Sequence, residues 1–318
     1  MKVSKAYIVY NPAAGRFPSR ILTERAADVL RAQGWQIHLE ETNGGPHITD
    51  LARQAVEQKM DAFFMAGGDG SLNFAVSGLW GSDTALGVLP AGTANVWAKE
   101  LGLPDLTWTR WMALEESARR LATATVREVD IGFCNGHPFL MWGGVGLDAF
   151  VVHRIEPRGR WEKSFAVAQY ATTTIHQASL MGGIDLQIYT DGDGEPVTGH
   201  YLLAVASNIH LYAGGVAEIS PYARLDDGEM DLWLFAGDTW LEAVTHAWDL
   251  WSGRHLDSDQ TRCIPFRNIT LSSDSPLYIQ VDGEPMQGSN EVTIEVRSQA
   301  LRVLVPENAP RALFSDMP

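Results

Sequence analysis

Three short stretches of this 318-residue chain combine glycine with small, amide, hydroxyl or carboxylate side chains. They are "NPAAG" at 11–15, "GGDGS" at 67–71 and "PAGTAN" at 90–95. Loops with so little side chain present backbone N–H groups. Where a helix follows, its N-terminal end adds partial positive charge, and the two together cradle phosphate. Glycine in one loop only permits a tight turn; three such loops in register predict that a polyanion lies against the main chain. A fourth stretch, "VDGEP" at 281–285, sets two carboxylates two residues apart on an Asp-Gly pair. Asp-Gly is also a common hairpin turn, so taken alone this stretch reads equally well as structure.

The elements that must position these loops alternate through the first third of the chain. "KAYIVYNP" is a strand leading into the first loop. "SRILTERAADVLRAQG" places Ile21, Leu22, Ala26, Val29 and Leu30 on one helical face, with Gly34 as a stop. "WQIHLEET" alternates as a strand does, and "ITDLARQAVEQKM" is helical, with Thr49 or Asp50 as its cap. "DAFFMA" is short and wholly apolar, as a strand covered on both faces should be. Then come the second loop, a helix, the strand "TALGVLP", the third loop and a helix from about Val96. Repeated βα units predict a parallel sheet covered by helices, and its loops gather along the carboxyl edge of the strands, where ligands bind.

Near residue 125 the pattern changes to strand-like runs joined by turns, among them "TVREVDIGFCNGHPFLMW", "EMDLWLFAG" and "EVTIEVRSQALRVLVP". We expect an α/β domain over 1–125, an antiparallel β-sandwich or barrel-like domain over 126–306, and an irregular tail over 307–318. Helical insertions are expected near 162–181 and 238–253.

Composition removes several function classes. Hydrophobic residues make up 45 %, enough for a sizeable core. The formal net charge of −15 disfavours nucleic acid as a partner, since phosphate backbones need a basic face, and disfavours simple electrostatic docking on anionic membranes. No apolar run reaches the ~18 residues of a membrane span. The N-terminus enters a strand directly, which predicts a soluble cytoplasmic protein. Cys134 and Cys263 stand alone, so neither a disulfide framework nor a zinc site is indicated. The nine histidines show no ligand-like spacing. Neither GxGxxG nor GxxxxGK[ST] occurs, which excludes the Rossmann and Walker fingerprints.

Taken in order, "VYNPAAG", "AGGDGSLNFAVSGL", "LGVLPAGTANVWAKELGLP" and "YIQVDGEP" resemble the motifs of the diacylglycerol kinase catalytic-domain family. This is the bacterial lipid kinase group, itself similar to sphingosine kinases and more distantly to NAD kinases. The resemblance implies ATP-dependent phosphorylation of a lipid hydroxyl: diacylglycerol, a phosphatidyl lipid or a sphingoid base. By position it implies nucleotide contacts at Asn11, Pro12, Gly15, Thr42, Gly67, Gly68, Asp69, Gly70, Ser71, Asn73, Thr93 and Asn95. It implies Asp282 and Glu284 as the acidic catalytic pair, with Asp282 the expected base and Glu284 its partner, though two carboxylates this close could exchange roles. It further implies a Mg²⁺ ion held in "ARLDDGEMDL" by Asp227 and the carbonyls of Arg224 and Glu229; a solvated turn explains that stretch equally well.

Such roles are chemically coherent. Phosphoryl transfer rests on positioning and charge neutralisation, and an alcohol nucleophile needs a carboxylate to take its proton. Phe74 and Val96-Trp97 depart from the family pattern, which often has Glu at the first position and an acidic-aromatic pair at the second. Aromatic-rich helical stretches carrying Trp161, Phe165, Tyr170, Trp240, Trp248 and Trp251 read more readily as core than as an acyl-chain or bilayer surface. A local basic stretch, Arg154, Arg158, Arg160 and Lys163, could meet lipid head groups or lie solvated. The partners implied are a lipid substrate and a peripheral contact with the inner membrane surface; a homodimer stays open. A kinase for a soluble acceptor and an inactive nucleotide- or lipid-binding regulator are the alternatives.

Overall fold

The structure, a computed structural model, describes residues 4–12, 15, 19–155, 182–191 and 194–315. The expected helix at 162–181 and the residues Trp161, Phe165, Tyr170, Arg158, Arg160 and Lys163 lie outside them. The chain divides into two compact units, Met1–Val129 with Gln299–Pro318, and Asp130–Ser298.

The first unit is the expected α/β layer structure. Strands β1 (Lys5–Tyr10), β2 (Gln36–Glu41), β3 (Ala62–Gly67) and β4 (Ala85–Pro90) are all parallel, in the order β2-β1-β3-β4. Every residue of β3 and β4 is buried, which explains their unbroken apolar sequences. Helices α1 (Ser19–Ala32), α2 (Gly45–Glu57), α3 (Asp69–Leu79), α4 (Val96–Glu100) and α5 (Ala113–Leu121) complete it.

Two local expectations need correction. On α1 the buried stripe is Leu22, Ala26, Ala27 and Leu30, while Ile21 is exposed. Helix α2 begins at Gly45 rather than near Thr49, because Pro46 suits a first turn and Thr42 closes the preceding turn. The Thr49 hydroxyl is not a cap; it donates to the Phe74 carbonyl at 2.8 Å. There α2 meets α3 so closely that a Cβ on Gly78 would lie 2.6 Å from that of Ala52.

The second unit is mostly antiparallel. Its elements are β5 (Thr125–Cys134, which enters it from the first unit), β6 (His137–Phe139), β7 (Trp142–Gly146), α6 (Leu147–Ile155), β8 (Ile184–Thr190), β9 (Val197–Ser207), β10 (Leu211–Tyr212) and β11 (Ala217–Glu218). They are followed by β12 (Met230–Ala236), α7 (Trp240–Ser252), β13 (Thr261–Phe266), β14 (Asn268–Val281) and β15 (Glu284–Val305). Strands β9 and β14 each pair with both β7 and β8, at different points along their length, so the four close a circuit. Inside are Phe139, Leu186, Ile188, Leu232, Leu234, Leu271 and Ile279.

The division of the chain also differs from the expected one. The second unit ends at Ser298, and the rest of β15 returns to the first, where Val303 pairs with Leu86 in parallel. The tail is not loose: Ala309, Leu313 and Phe314 are buried, the last two at a 3-10 turn, Arg311–Leu313. A continuous strand pattern does not reveal that its two ends belong to different units.

Candidate functional site

In the first unit the three glycine loops pack on one another. The Asn11 amide N–H donates to Ala66 O at 3.1 Å, and its side chain donates to the Ser71 hydroxyl at 3.1 Å, tying the first loop to the second. Gly67 O accepts from Ala91 N (3.1 Å) and Gly92 N (3.2 Å), tying the second to the third. A Cβ on Gly68 would lie 3.2 Å from Gly92 Cα, and one on Gly92 would overlap Gly68. Gly15, with φ +63°, backs onto the Ala91 carbonyl so closely that a Cβ would overlap it. The scarcity of side chain thus has an internal cause: the backbones of the loops lie against each other.

Several side chains expected to meet nucleotide are engaged in holding the loops. Asn95 is buried in the left-handed region (φ 51°), which Asn tolerates. Its amide accepts from Gly92 N at 2.8 Å and donates to Gly92 O at 3.1 Å. Asp69 opens α3 and accepts from Trp97 N, at the start of α4, at 3.3 Å. Its surroundings are largely protein, and that burial raises its carboxyl above the usual range, opposed by the N–H groups of Val96 and Trp97. Thr42 is buried, and its hydroxyl bridges Gly44 O (2.8 Å) and Gly44 N (3.2 Å). Pro12 and Thr93 are exposed, and Gly70, Ser71 and Asn73 are part-exposed along the first turn of α3. The ring of Phe74 lies against Gly45, where a Cβ would overlap it, so this departure from the family pattern replaces a charge with a packed ring.

In the second unit "VDGE" is a two-residue hairpin. Val281 pairs with Glu284, and Asp282 and Gly283 have φ of 47° and 81°, the signs a type I′ turn needs. The expected catalytic pair therefore falls within and beside the hairpin turn. The buried Asp282 carboxylate accepts from three backbone N–H groups: Leu140 (2.8 Å), Met141 (2.9 Å) and Trp142 (3.0 Å). Glu284, at the start of β15, is part-exposed. The turn is held from behind as well. Gly283 N donates to Gln280 Oε1 at 2.8 Å, and Gln280 Nε2 donates to the buried Asp148 Oδ2 at 2.8 Å.

The third acidic stretch is braced by Asp130. Asp130 Oδ2 accepts from Gly228 N (2.6 Å), and its N–H donates to Leu225 O (2.6 Å). The buried Asn208 amide donates to both Asp130 O and Leu140 O at 2.9 Å. A buried hydrogen-bonded path therefore runs from the 224–229 loop through Asp130, Asn208 and Leu140 to Asp282. Asp227 Oδ1 accepts from Glu229 N at 3.1 Å. Partial burial, then the charges of Glu229, Asp226 and Asp231, push the Asp227 carboxyl above its usual range. Among the described residues no three His, Cys, Asp or Glu side chains gather closely enough to hold a metal. A carboxylate crowded by its own kind, with carbonyls at Arg224 and Glu229 in the same loop, is nonetheless an all-oxygen donor set that suits a hard cation such as Mg²⁺.

With this geometry in hand, comparison with known proteins places the chain. Residues 5–134 match the family described as the diacylglycerol kinase catalytic domain. Residues 144–305 match the YegS C-terminal NAD kinase beta sandwich-like domain. The chain belongs to the diacylglycerol kinase catalytic-domain family. It is 25 % identical over 295 residues to a diacylglycerol kinase of Bacillus subtilis, covering 89 % of this chain and 90 % of that one. It is 26 % identical to a diacylglycerol kinase of Mycobacterium tuberculosis, with 89 % of each chain covered. A crystal structure of a diacylglycerol kinase from Bacillus anthracis shares the fold, with a TM-score of 0.72 at 18 % identity, covering 98 % of this chain and 100 % of that one.

As a member of the diacylglycerol kinase family the protein is a kinase. Reading the sequence for that chemistry found the loops and the acidic turn but not Asp130, Asp148, Asn208 or Gln280. One signal was available for Asp130: a carboxylate inside the apolar run Val129-Asp130-Ile131, where a buried charge needs partners. The expectation that the aromatic helix at 238–253 packs inward is corrected, since Trp240, Trp248 and Trp251 are exposed on α7.

Proposed function

We propose that this protein transfers the γ-phosphoryl group of ATP to a hydroxyl of a membrane lipid such as diacylglycerol, a phosphatidyl lipid or a sphingoid base. Family membership supports the reaction class. The observation that carries the assignment of roles is the contrast within the acidic turn. Both oxygens of Asp282 face backbone donors, whereas Glu284, two residues on, is part-exposed at a strand start. On this reading Glu284 is the general base and Asp282 its positioning residue, the reverse of the order expected from the sequence. In the transfer the lipid oxygen attacks Pγ and its proton passes to Glu284. The new O–Pγ bond forms as the Pγ–O bond to ADP breaks, and ADP leaves with the electron pair.

The loop cluster around Asn11, Gly67, Gly68 and Ser71 and the first turn of α3 receive the triphosphate, with Asp69 and Asn95 fixing the shape of the cradle. Mg²⁺ would supply neutralisation of phosphate charge, and Asp227 with the carbonyls of Arg224 and Glu229 would hold a structural ion. Among the described residues no helix is long and apolar enough to cross a membrane.

The test is γ-labelled ATP with Mg²⁺ and a mixed lipid extract in detergent micelles, followed by counting the organic phase. We expect label in a lipid that disappears with Glu284→Gln. Label confined to an aqueous product would overturn the lipid reading in favour of a soluble acceptor. ATP bound but never consumed would favour a regulator.

A further inference from the structure

Helix α7 presents an unusual outer face. Trp240, Leu241, Val244, Trp248 and Trp251 are 45, 59, 38, 55 and 63 % exposed. At about 100° per residue these five positions fall within an arc of roughly 100°. The indoles of Trp248 and Trp251 touch, with centroids 5.0 Å apart and planes tilted by 40°. The inner face is conventional: His246 and Leu250 are buried, the His246 ring bonds the Ala236 carbonyl at 2.7 Å, and it meets Phe235 edge-on. The helix is firmly started by a capping box between Thr239 and Glu242. Solvent therefore faces a rigid apolar stripe, not a frayed end.

We propose that the outer face of α7 is a bilayer-docking surface that seats Trp240, Trp248 and Trp251 at the level of the lipid head groups. Tryptophan is the side chain most suited to that depth, apolar over most of its surface with one N–H for the wet side. A second copy of the chain is a poorer occupant. Two chains each carrying a net charge of −15 repel one another, which disfavours a symmetric contact through this face. Electrostatics does not drive the docking: the helix carries no Lys or Arg, and the chain has a net charge of −15. Insertion of apolar surface does, so binding should ignore salt and anionic lipid. The choice of a lipid occupant rests on the lipid-kinase reading, but the test below contains no ATP, so failure of docking and failure of transfer are separate results.

The full-length protein is sedimented with sucrose-loaded phosphatidylcholine vesicles, alone or doped with phosphatidylglycerol. We expect it to pellet, with less than a twofold change between 0.05 and 0.5 M salt and no gain from the anionic lipid. The double variant Trp248→Ser, Trp251→Ser should bind at least tenfold more weakly at an unchanged melting temperature, while Trp80→Ser, an exposed Trp at the end of α3, should bind like wild type. Independently of any variant, wild-type Trp emission should shift to the blue on vesicles and be quenched by lipids brominated near the head group. Several results would overturn the proposal: wild type left in the supernatant, no quenching, a double variant that pellets normally, or one that melts several degrees lower, showing indoles packed within the fold. A concentration-dependent dimer dissolved by the double variant would give the face to a second copy and overturn it too.

Discussion

Asp282 and Glu284 are separated by one glycine, yet their surroundings assign them different work. Removing the Asp282 carboxylate strands three buried N–H donors. Each unpaired group costs about 1–3 kcal/mol, so Asp282→Ala should lower stability by about 3–9 kcal/mol, read from urea unfolding. With Glu284→Gln, which removes a part-exposed carboxylate, phosphoryl transfer should fall by about 10²–10⁴-fold. Near-normal transfer by Glu284→Gln would return the base to Asp282. The thiols give a separate residue-scale test. Burial pushes Cys134 up to about 12, and burial with Asp231 nearby does the same for Cys263. Since the thiolate is the nucleophile, neither should react with a thiol reagent at pH 7.5 until the protein is unfolded.

At the scale of elements, glycine matters where another backbone is close. Gly92→Ala would drive a Cβ into Gly68 and part the second and third loops, at a cost of about 1–3 kcal/mol. Gly81, with φ +71° and nothing within 4 Å of its would-be Cβ, should lose only about 1 kcal/mol as Ala. ATP affinity, measured by calorimetry, should fall for the first and not for the second. The start of α7 makes a pH test. The hydrogen bond from Thr239, then the N–H groups of Asp238 and Thr239, lower the Glu242 carboxyl from its ordinary 4.5 to about 2. A lowered acid stabilises the folded state above its unfolded pKa and loses that contribution as pH falls from about 4.5 towards 2. Glu242→Gln should flatten the acid limb of the stability curve over that window; an unchanged limb would refute the cap.

At the scale of the molecule, the first unit is closed by residues that come last in the chain. Leu301, Val303, Leu304, Val305, Leu313 and Phe314 are all buried. Truncation after Ser298 strips them from the first unit, whose residues to Val129 would still be present. We expect the truncated chain to lose the cooperative melt of that unit, followed by calorimetry. Deleting only 307–318 removes Leu313 and Phe314 and should cost several kcal/mol, where a truly irregular tail would cost none.

Much of this protein was legible along the chain, because local physics writes it there. Wholly apolar β3 and β4 announce a sheet covered on both faces, glycine loops before helices announce tight βα connections, and Asp-Gly between alternating runs announces a hairpin. What stayed hidden depends on which distant atoms meet. That Gly92 is glycine because Gly68 lies against it is a contact between two loops, invisible to a reading of either. The distinction between Asp282 and Glu284 comes from N–H groups about 140 residues earlier in the chain. Gln280 and Asn208 look ordinary until burial makes their amides obligatory partners. The tryptophans of α7 show the limit most clearly: helical periodicity locates an apolar stripe, but only tertiary packing decides which stripe is covered, and here it covers His246 and Leu250 and leaves the indoles outside.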